Sequence, residues 1–434
     1  MSKNKINLPI TYSRLANGLR IIISQDKSAP IATVAVFYKV GFRSENKGRT
    51  GFAHLFEHLM FQGTKNIPKD KFIRLIEETG GIVNGTTQPD FTNYFETLPA
   101  HSVDLALWIE FERMMNPQIS NLELKNQRDV VKNEIKVNVL NRPYGGFPWI
   151  DMSEKAFKNW HNYHNGYGDM NDLNSASLSD VKDFYNDYYN PSNAAIVVIG
   201  DIDAEQTLKK VESLFSQIPK KNLPTQFDLN EPVQKKEQLH YKIDLLAPKP
   251  AVCIAYHMPK RMTDDFFALG LLDQMLIQGE DSFLRKILVR DKGLTDEIFG
   301  GISFEGNMFT STDPMLWHFS LIYDEIASSK KIIKIIDDSF DKFINSNQID
   351  KLLPIARTKL DASFYHLLQQ GPYKGIGLAE MLASFSFYDN DPFLINSLQE
   401  RFNSIDTEKI YDVFHQYIVS KSRNILFVKP GDTK

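Results

Sequence analysis

GRTGFAHLFEHLMFQGT, running from Gly48 to Thr64, is where the chain leaves the alternation of a strand for the repeat of a helix. Phe52, Leu55, Phe56, Leu59 and Met60 recur at helical spacing, and Gly63-Thr64 stops the run. The same turns carry His54, Glu57 and His58. Residues four apart lie one turn apart on one face, so both imidazoles can converge on a single ion with Glu57 beside them. A catalytic zinc site needs such a set: neutral nitrogen donors, one further ligand and an open position for water. Two histidines and a glutamate flanked by Phe52, Phe56, Leu59 and Phe61 are a costly way to build a core, because buried polar groups need partners. With 10 histidines in the chain, accident alone supplies H-x-x-E-H in roughly one such sequence in a hundred.

Outward from this helix the pattern is strands followed by helices, an α+β layout. Upstream, Gly18 to Ser24 and Ala32 to Val40 read as two strands joined in a hairpin. Downstream comes a helix from about Pro68 to Thr79, with proline at its start and Gly80-Gly81 at its stop. The β-branched and aromatic run Phe91 to Leu98 reads as a strand. Helices follow at about Ser102 to Met115 and Asn121 to Leu140, divided by Asn116-Pro117. After an irregular stretch from Pro143 to Gly168, a helix at Leu178 to Tyr189 leads into a buried strand, Ala194 to Ile199. Between 219 and 237 the chain turns Pro-, Lys- and Asn-rich, the composition of a linker, which divides it into a first domain at 1–218 and a second at 238–434. The second half reads as a worn copy of the first: helix Val181 to Tyr189 plus AIVVIGD matches helix Ile410 to Ile418 plus NILFVKPGD.

Composition sets bounds on partners. A net charge of −4 with no dense basic run gives no footprint for nucleic acid or an anionic membrane. No apolar run approaches the ~20 residues of a membrane-spanning helix, and the N-terminal stretch lacks the pattern of a signal peptide, so the cytoplasm is the expected address. The single cysteine, Cys253, lies in an apolar run and reads as a small buried residue without a catalytic role. His101, His161, His164, His240, His257, His318, His366 and His415 lack ligand spacing.

The Gly48 to Thr64 run closely resembles the active-site segment of the pitrilysin/insulinase-type zinc peptidases, whose H-x-x-E-H inverts the more common H-E-x-x-H. Further matches are LANGLRIIISQD, VGFRSEN with Glu45, GGIVNGTTQPDFTNYFETLP (Gly80 to Pro99) and DLNSASLSDVKDFYNDYYNPSNAAIVVIGD. The likeness spans residues 15–203 and is general beyond them; it points to the roughly 50 kDa two-domain branch of this M16 (inverzincin) family, M16B-like, to which mitochondrial processing peptidase subunits belong. It implies two related α+β domains, each a mainly antiparallel sheet packed with helices, LuxS/metallohydrolase-like. The family takes its third ligand from a glutamate 75–77 positions beyond the second histidine, and Glu134 stands 76 on. By this resemblance His54, His58 and Glu134 bind one Zn²⁺ per chain, and Glu57 is the general base of peptide-bond hydrolysis. It also implies an endopeptidase acting on peptides or unfolded segments in a closed chamber. An edge strand near the zinc pairs with extended substrate in the family; Phe91 to Leu98 is expected in that place, with Asn84, Thr86, Tyr94 and Phe95 as substrate contacts.

Three departures bear on these expectations. Gln127 stands where the family commonly has a second glutamate; its amide can accept a hydrogen bond from a ligand histidine but lacks the charge, so looser metal binding is expected. Gly85 replaces a usual alanine. In the second half Arg290 matches a peptide-contacting arginine, yet the tyrosine expected seven residues on is Glu297, with Asp296 beside it. That half is therefore expected to need a partner, a related chain lacking H-x-x-E-H in a heterodimer, or otherwise a second copy. The alternatives are a non-catalytic scaffold or assembly subunit of the same family, and a maturation peptidase for one small precursor peptide.

Overall fold

Apolar, β-branched runs in the first half pair into a six-stranded sheet in the computed structural model, which describes residues 7–324, 328–369, 375–420 and 422–431. Its strands are β1 (Thr11–Arg14), β2 (Arg20–Gln25), β3 (Ile31–Tyr38), β4 (Ile82–Thr87), β5 (Thr92–Pro99) and β6 (Ala194–Gly200), in the order β1-β2-β6-β3-β5-β4. Neighbours are antiparallel except β2 and β6. The expected hairpin between the first two apolar runs does not form, because β6 lies between β2 and β3. Every residue of β6 is buried, and a strand apolar on both faces gains most from a central place in the sheet.

The sequence pattern also misses β4, whose IVNGTT is β-branched at both ends but is broken by Asn-Gly and lacks alternation; pairing with β5 defines it. Consequently Thr92–Pro99, expected at the edge, is interior, and β4 is the open edge on this side of the sheet, with β1 at the other.

Four helices lie next in chain order around this edge of the sheet: α1 (Phe52–Leu59), α2 (Lys69–Glu77), α3 (Val103–Met115) and α4 (Asn121–Ile135). Phe52, Ala53, Leu55, Phe56 and Leu59 are buried and seat α1 on β4 and β5. Both ends of α1 are held. At its start, Glu45 accepts hydrogen bonds from the amides of Gly51 (3.0 Å) and Ala53 (2.8 Å), satisfying helix N–H groups and placing negative charge at the positive end of the helix dipole. The amide and hydroxyl of Thr50 donate to Asp172 Oδ2 at 3.1 and 2.6 Å. At its end, Arg113 of α3 donates to the Met60 carbonyl at 3.0 Å. That guanidinium is fully buried among the rings of Phe61, Phe72 and Tyr94 and also bonds Glu110 (2.9 Å) and Glu96 (3.3 Å). Burial, with the Glu110 carboxylate next, pushes the Glu96 carboxyl well above its ordinary range, so the trio can carry one proton and no net charge.

The second sheet contains β7 (Gln238–Asp244), β8 (Ala251–His257), β9 (Phe299–Ile302), β10 (Leu316–Ile322) and β11 (Arg423–Pro430), in the order β7-β11-β8-β10-β9. Taken in chain order, these repeat β2-β6-β3-β5-β4 in position and in sense, with the single parallel pair in the same place. The repeat seen at the two ends of the sequence thus extends to a whole sheet. Cys253 is buried in β8.

The compact units are not the contiguous halves that the linker composition suggested. One comprises Met1–Glu134, Asn165–Asp228 and Tyr365–Ser397; the other comprises Ile135–His164, Leu229–Phe364 and Leu398–Lys434. Each exchange covers an apolar sheet face. Met152 and Ala156 of the helix Trp149–Ala156, with Phe147 and Phe157, pack on Ala251, Cys253, Ala255, Leu426 and Val428 of the second sheet. The helix Ile376–Ser384 packs on β3 and β6 of the first.

Gly51, at the start of α1, and Gly168 cross closely, both with positive φ (80° and 88°); a Cβ on Gly168 would lie 2.5 Å from Gly51 Cα. Gly168→Ala is expected to cost about 3 kcal/mol or more, strain plus clash. Gly48→Ala, at φ 78° with open space around it, should cost about 1 kcal/mol. Urea unfolding midpoints compare the two; equal losses would mean that the crossing does not constrain α1.

Candidate metal centre

The one-turn spacing on α1 brings the His54 and His58 rings to 4.9 Å between centroids. α4 carries Glu134 to them from 76 residues away in sequence: its carboxylate oxygens lie 3.4 Å from His54 Nε2 and 3.6 Å from His58 Nε2. One ligand atom from each of the three lies within 4.8 Å of the others, and among the described residues no other such trio of His, Cys, Asp or Glu occurs. The three side chains are 14%, 20% and 33% exposed, enclosed yet open to solvent on one side.

The electrostatics decide what the cluster can hold. Burial, with the neighbouring His58 adding, drives the His54 pKa down to about 3, so its contact with Glu134 is not an ion pair at neutral pH. His58 Nδ1 faces the amide oxygen of Gln127 at 3.3 Å, so the tautomer protonated at Nδ1 donates there and leaves its Nε2 lone pair towards Glu134. Each ring presents Nε2 to a Glu134 oxygen, and in the tautomer protonated at Nδ1 each can offer that nitrogen to a cation. A tetrahedral zinc with ordinary bond lengths sets neighbouring donors about 3.3–3.4 Å apart, close to the spacings found. Two imidazoles and one carboxylate fit that ion.

Glu57 sits beside the trio without joining it. Its Oε2 accepts a hydrogen bond from Thr87 Oγ1 of β4 at 2.6 Å. Burial raises its carboxyl pKa, and the Thr87 bond and His58 pull the other way.

The residues expected to meet substrate are dispersed. Asn84 is exposed on β4 and its Oδ1 accepts from the Gly85 amide at 2.9 Å. Thr86 turns away from α1 and donates to Asn93 Oδ1 (2.9 Å), whose amide reaches Glu380 Oε1 (3.4 Å). Tyr94 is a core residue: fully buried, it donates to the Phe56 carbonyl (3.2 Å) and meets the Tyr189 hydroxyl (3.1 Å). Phe95 is 3% exposed and interior to the sheet. Gly85 is tightly enclosed; a Cβ there would come within 3.2 Å of Phe61 and Tyr94, so the usual alanine would require both rings to give. Arg290, in the second unit, pairs with Glu280 Oε2 at 3.1 Å.

Two neighbours of the centre escaped the sequence reading. Thr87 is adjacent to Thr86, and successive strand residues face opposite ways, so only the register Gly85↔Tyr94, Thr87↔Thr92 tells which threonine points at α1. The Tyr167 ring packs edge-on against His54, centroids 5.1 Å apart and planes at 84°, from a stretch without periodicity. In the second unit the helix Asp264–Leu276 follows β8 as α1 follows β3, but it carries no histidine and buries Asp273 against Trp317 Nε1 (2.9 Å).

Comparison with known proteins gives the family. Residues 20–143 match the family model of insulinase, peptidase family M16, and residues 175–356 match that of the peptidase M16 inactive domain. The zinc protease PqqE of Helicobacter pylori is 26% identical over 432 residues, covering 96% of this chain and 92% of its own. The mitochondrial-processing peptidase subunit beta of Saccharomyces cerevisiae is 26% identical over 212 residues, 49% of this chain and 46% of its own. Among solved structures, a protease from Helicobacter pylori superposes with a TM-score of 0.88 at 24% identity, over 98% of this chain and 100% of that one. The first half of the periplasmic protease PqqL from Escherichia coli gives 0.77 at 17% identity, over 99% and 94%, and so shares the fold. With the insulinase model over the stretch that carries H-x-x-E-H and its companion over most of the rest, this chain belongs to peptidase family M16.

Proposed function

We propose that this M16 protein is a zinc-dependent endopeptidase with one metal per chain, acting on peptides or unfolded segments. The observation that carries the reading is the meeting of the ligand atoms of His54, His58 and Glu134, with Glu57 on the same helix. Zinc bound by those three supplies Lewis-acid polarisation of the scissile carbonyl and brings the pKa of water towards neutrality. Glu57, kept out of the ligand set by Thr87, takes the proton from the attacking water and passes it to the leaving amine. The open edge β4, next to α1, offers main-chain hydrogen bonds to an extended peptide, an arrangement that binds with little demand on sequence. Gln127 orients His58 as a neutral acceptor rather than as a charged one.

A partner subunit belongs to the same reading. What supports it is the second unit, where Arg290 lies against Glu280 and no tyrosine stands at the expected spacing. Relatives whose names mark them as subunits of larger assemblies, mitochondrial-processing peptidase beta and cytochrome b-c1 complex subunit 1, point the same way. We take that partner to be a related chain without H-x-x-E-H, closing a chamber with this one.

Glu57→Gln should retain stoichiometric zinc and lose hydrolysis of an internally quenched peptide by about 100-fold or more. Undiminished turnover would remove the general base, and protein purified metal-free under zinc-replete conditions would favour a scaffold role. Gln127→Glu should tighten zinc binding by about tenfold or more in competition with a chelator; unchanged affinity would mean that the amide already orients His58 fully. For the partner, the measurement is activity across a size-exclusion profile of the purified chain: full hydrolysis in the monomer peak would sink the need for a second subunit.

A further inference from the structure

β4 presents three residues to the helices that cover it, and each does something different. Val83 packs with Phe72 and Ile76 of α2. Gly85 leaves room for Phe61 and Tyr94. Thr87 brings a hydroxyl to Glu57 Oε2 at 2.6 Å, the one polar side-chain group on this face of the strand. Its other acceptor within reach, the Ala53 carbonyl, is 3.5 Å away, so the hydroxyl proton goes to the carboxylate.

We propose that Thr87 is a positioning residue that holds Glu57 in the orientation needed to take a proton. The inference rests on the role of Glu57 proposed above and adds to it a second residue and a link to the substrate edge. A glutamate carboxylate turns about three side-chain bonds, and a catalytic base left free to do so spends little time aimed at its proton. Threonine is suited to stopping it. Its β-branch fixes χ1 in a strand, and its backbone is anchored opposite Thr92, whose own hydroxyl donates to the Val40 carbonyl at 2.8 Å. With Oε2 engaged, Oε1 is the oxygen that receives the proton. Because β4 is the open edge of the sheet, the strand that pairs with substrate also aims the base, and a shift of one moves the other.

The test uses the full chain, with its partner where one copurifies. Thr87→Val keeps the branched shape and removes the hydroxyl; kcat for a quenched peptide should fall about tenfold or more while KM and bound zinc stay near wild type. Thr87→Ser restores the hydroxyl and should bring kcat back to within a few-fold. Crystal structures give a readout independent of turnover: Glu57 in one orientation in the wild type, turned or spread over several in Thr87→Val. Wild-type kcat in the valine variant, equal losses for valine and serine, or an unmoved Glu57 carboxylate would each overturn the proposal. A wild-type chain that binds no zinc or cleaves nothing would end the peptidase reading instead, and the crystallographic comparison would still decide the Thr87–Glu57 contact.

Discussion

Two histidines and a glutamate bring one ligand atom each to within 4.8 Å of one another in the first unit. Burial keeps the imidazole of His54 neutral, Nδ1 of His58 faces the Gln127 amide oxygen, and Glu134 presents its two oxygens at 3.4 and 3.6 Å. A bound cation needs its donors held at such spacings, and the surrounding fold does the holding. Much of the first unit makes sense as the means of doing so.

α1 is the element most constrained. Its N-terminal amides are bonded by Glu45, its preceding residue by Asp172, its entry is pinched between two glycines, and its last carbonyls are met by a buried arginine. A short helix has little stability of its own. Holding both ends fixes the direction of three side chains that point from its middle. Of the charges used, Arg113 is buried and paired with Glu96 and Glu110, so breaking that pairing would leave a charge uncompensated. Thr87 extends this support to Glu57, and Tyr167 closes the flank of His54.

Legibility in the sequence tracked the range of the interaction. α1 and its His54/Glu57/His58 face, the four helices with their limits, and the strand Ala194–Gly200 could be read because local period and turn residues specify them. Glu134 could be placed with them only through family resemblance, since 76 residues of intervening chain carry no local signal of the meeting. The hairpin expectation failed because it used nearest neighbours in sequence, whereas burial on both faces put β6 between β2 and β3. β4 went unread because a strand bonded on one side, with Gly and Asn inside it, is defined by its neighbour. With β4 missing, the open edge falls one strand too far in, and Tyr94, expected at the substrate, spends its hydroxyl on Phe56 and Tyr189.

By itself, then, the sequence determined the chemistry: the donor types, their spacing on a helix, a carboxylate beside them and a duplicated α+β chain. These depend on residue identity and on a repeat of a few residues, both of which are local. The tertiary structure alone decided which strand is the open edge, which of two adjacent threonines reaches Glu57, and which segments of each half cover the other half's sheet. Those outcomes come from strand register and from the burial of apolar faces, and both are settled between residues far apart along the chain.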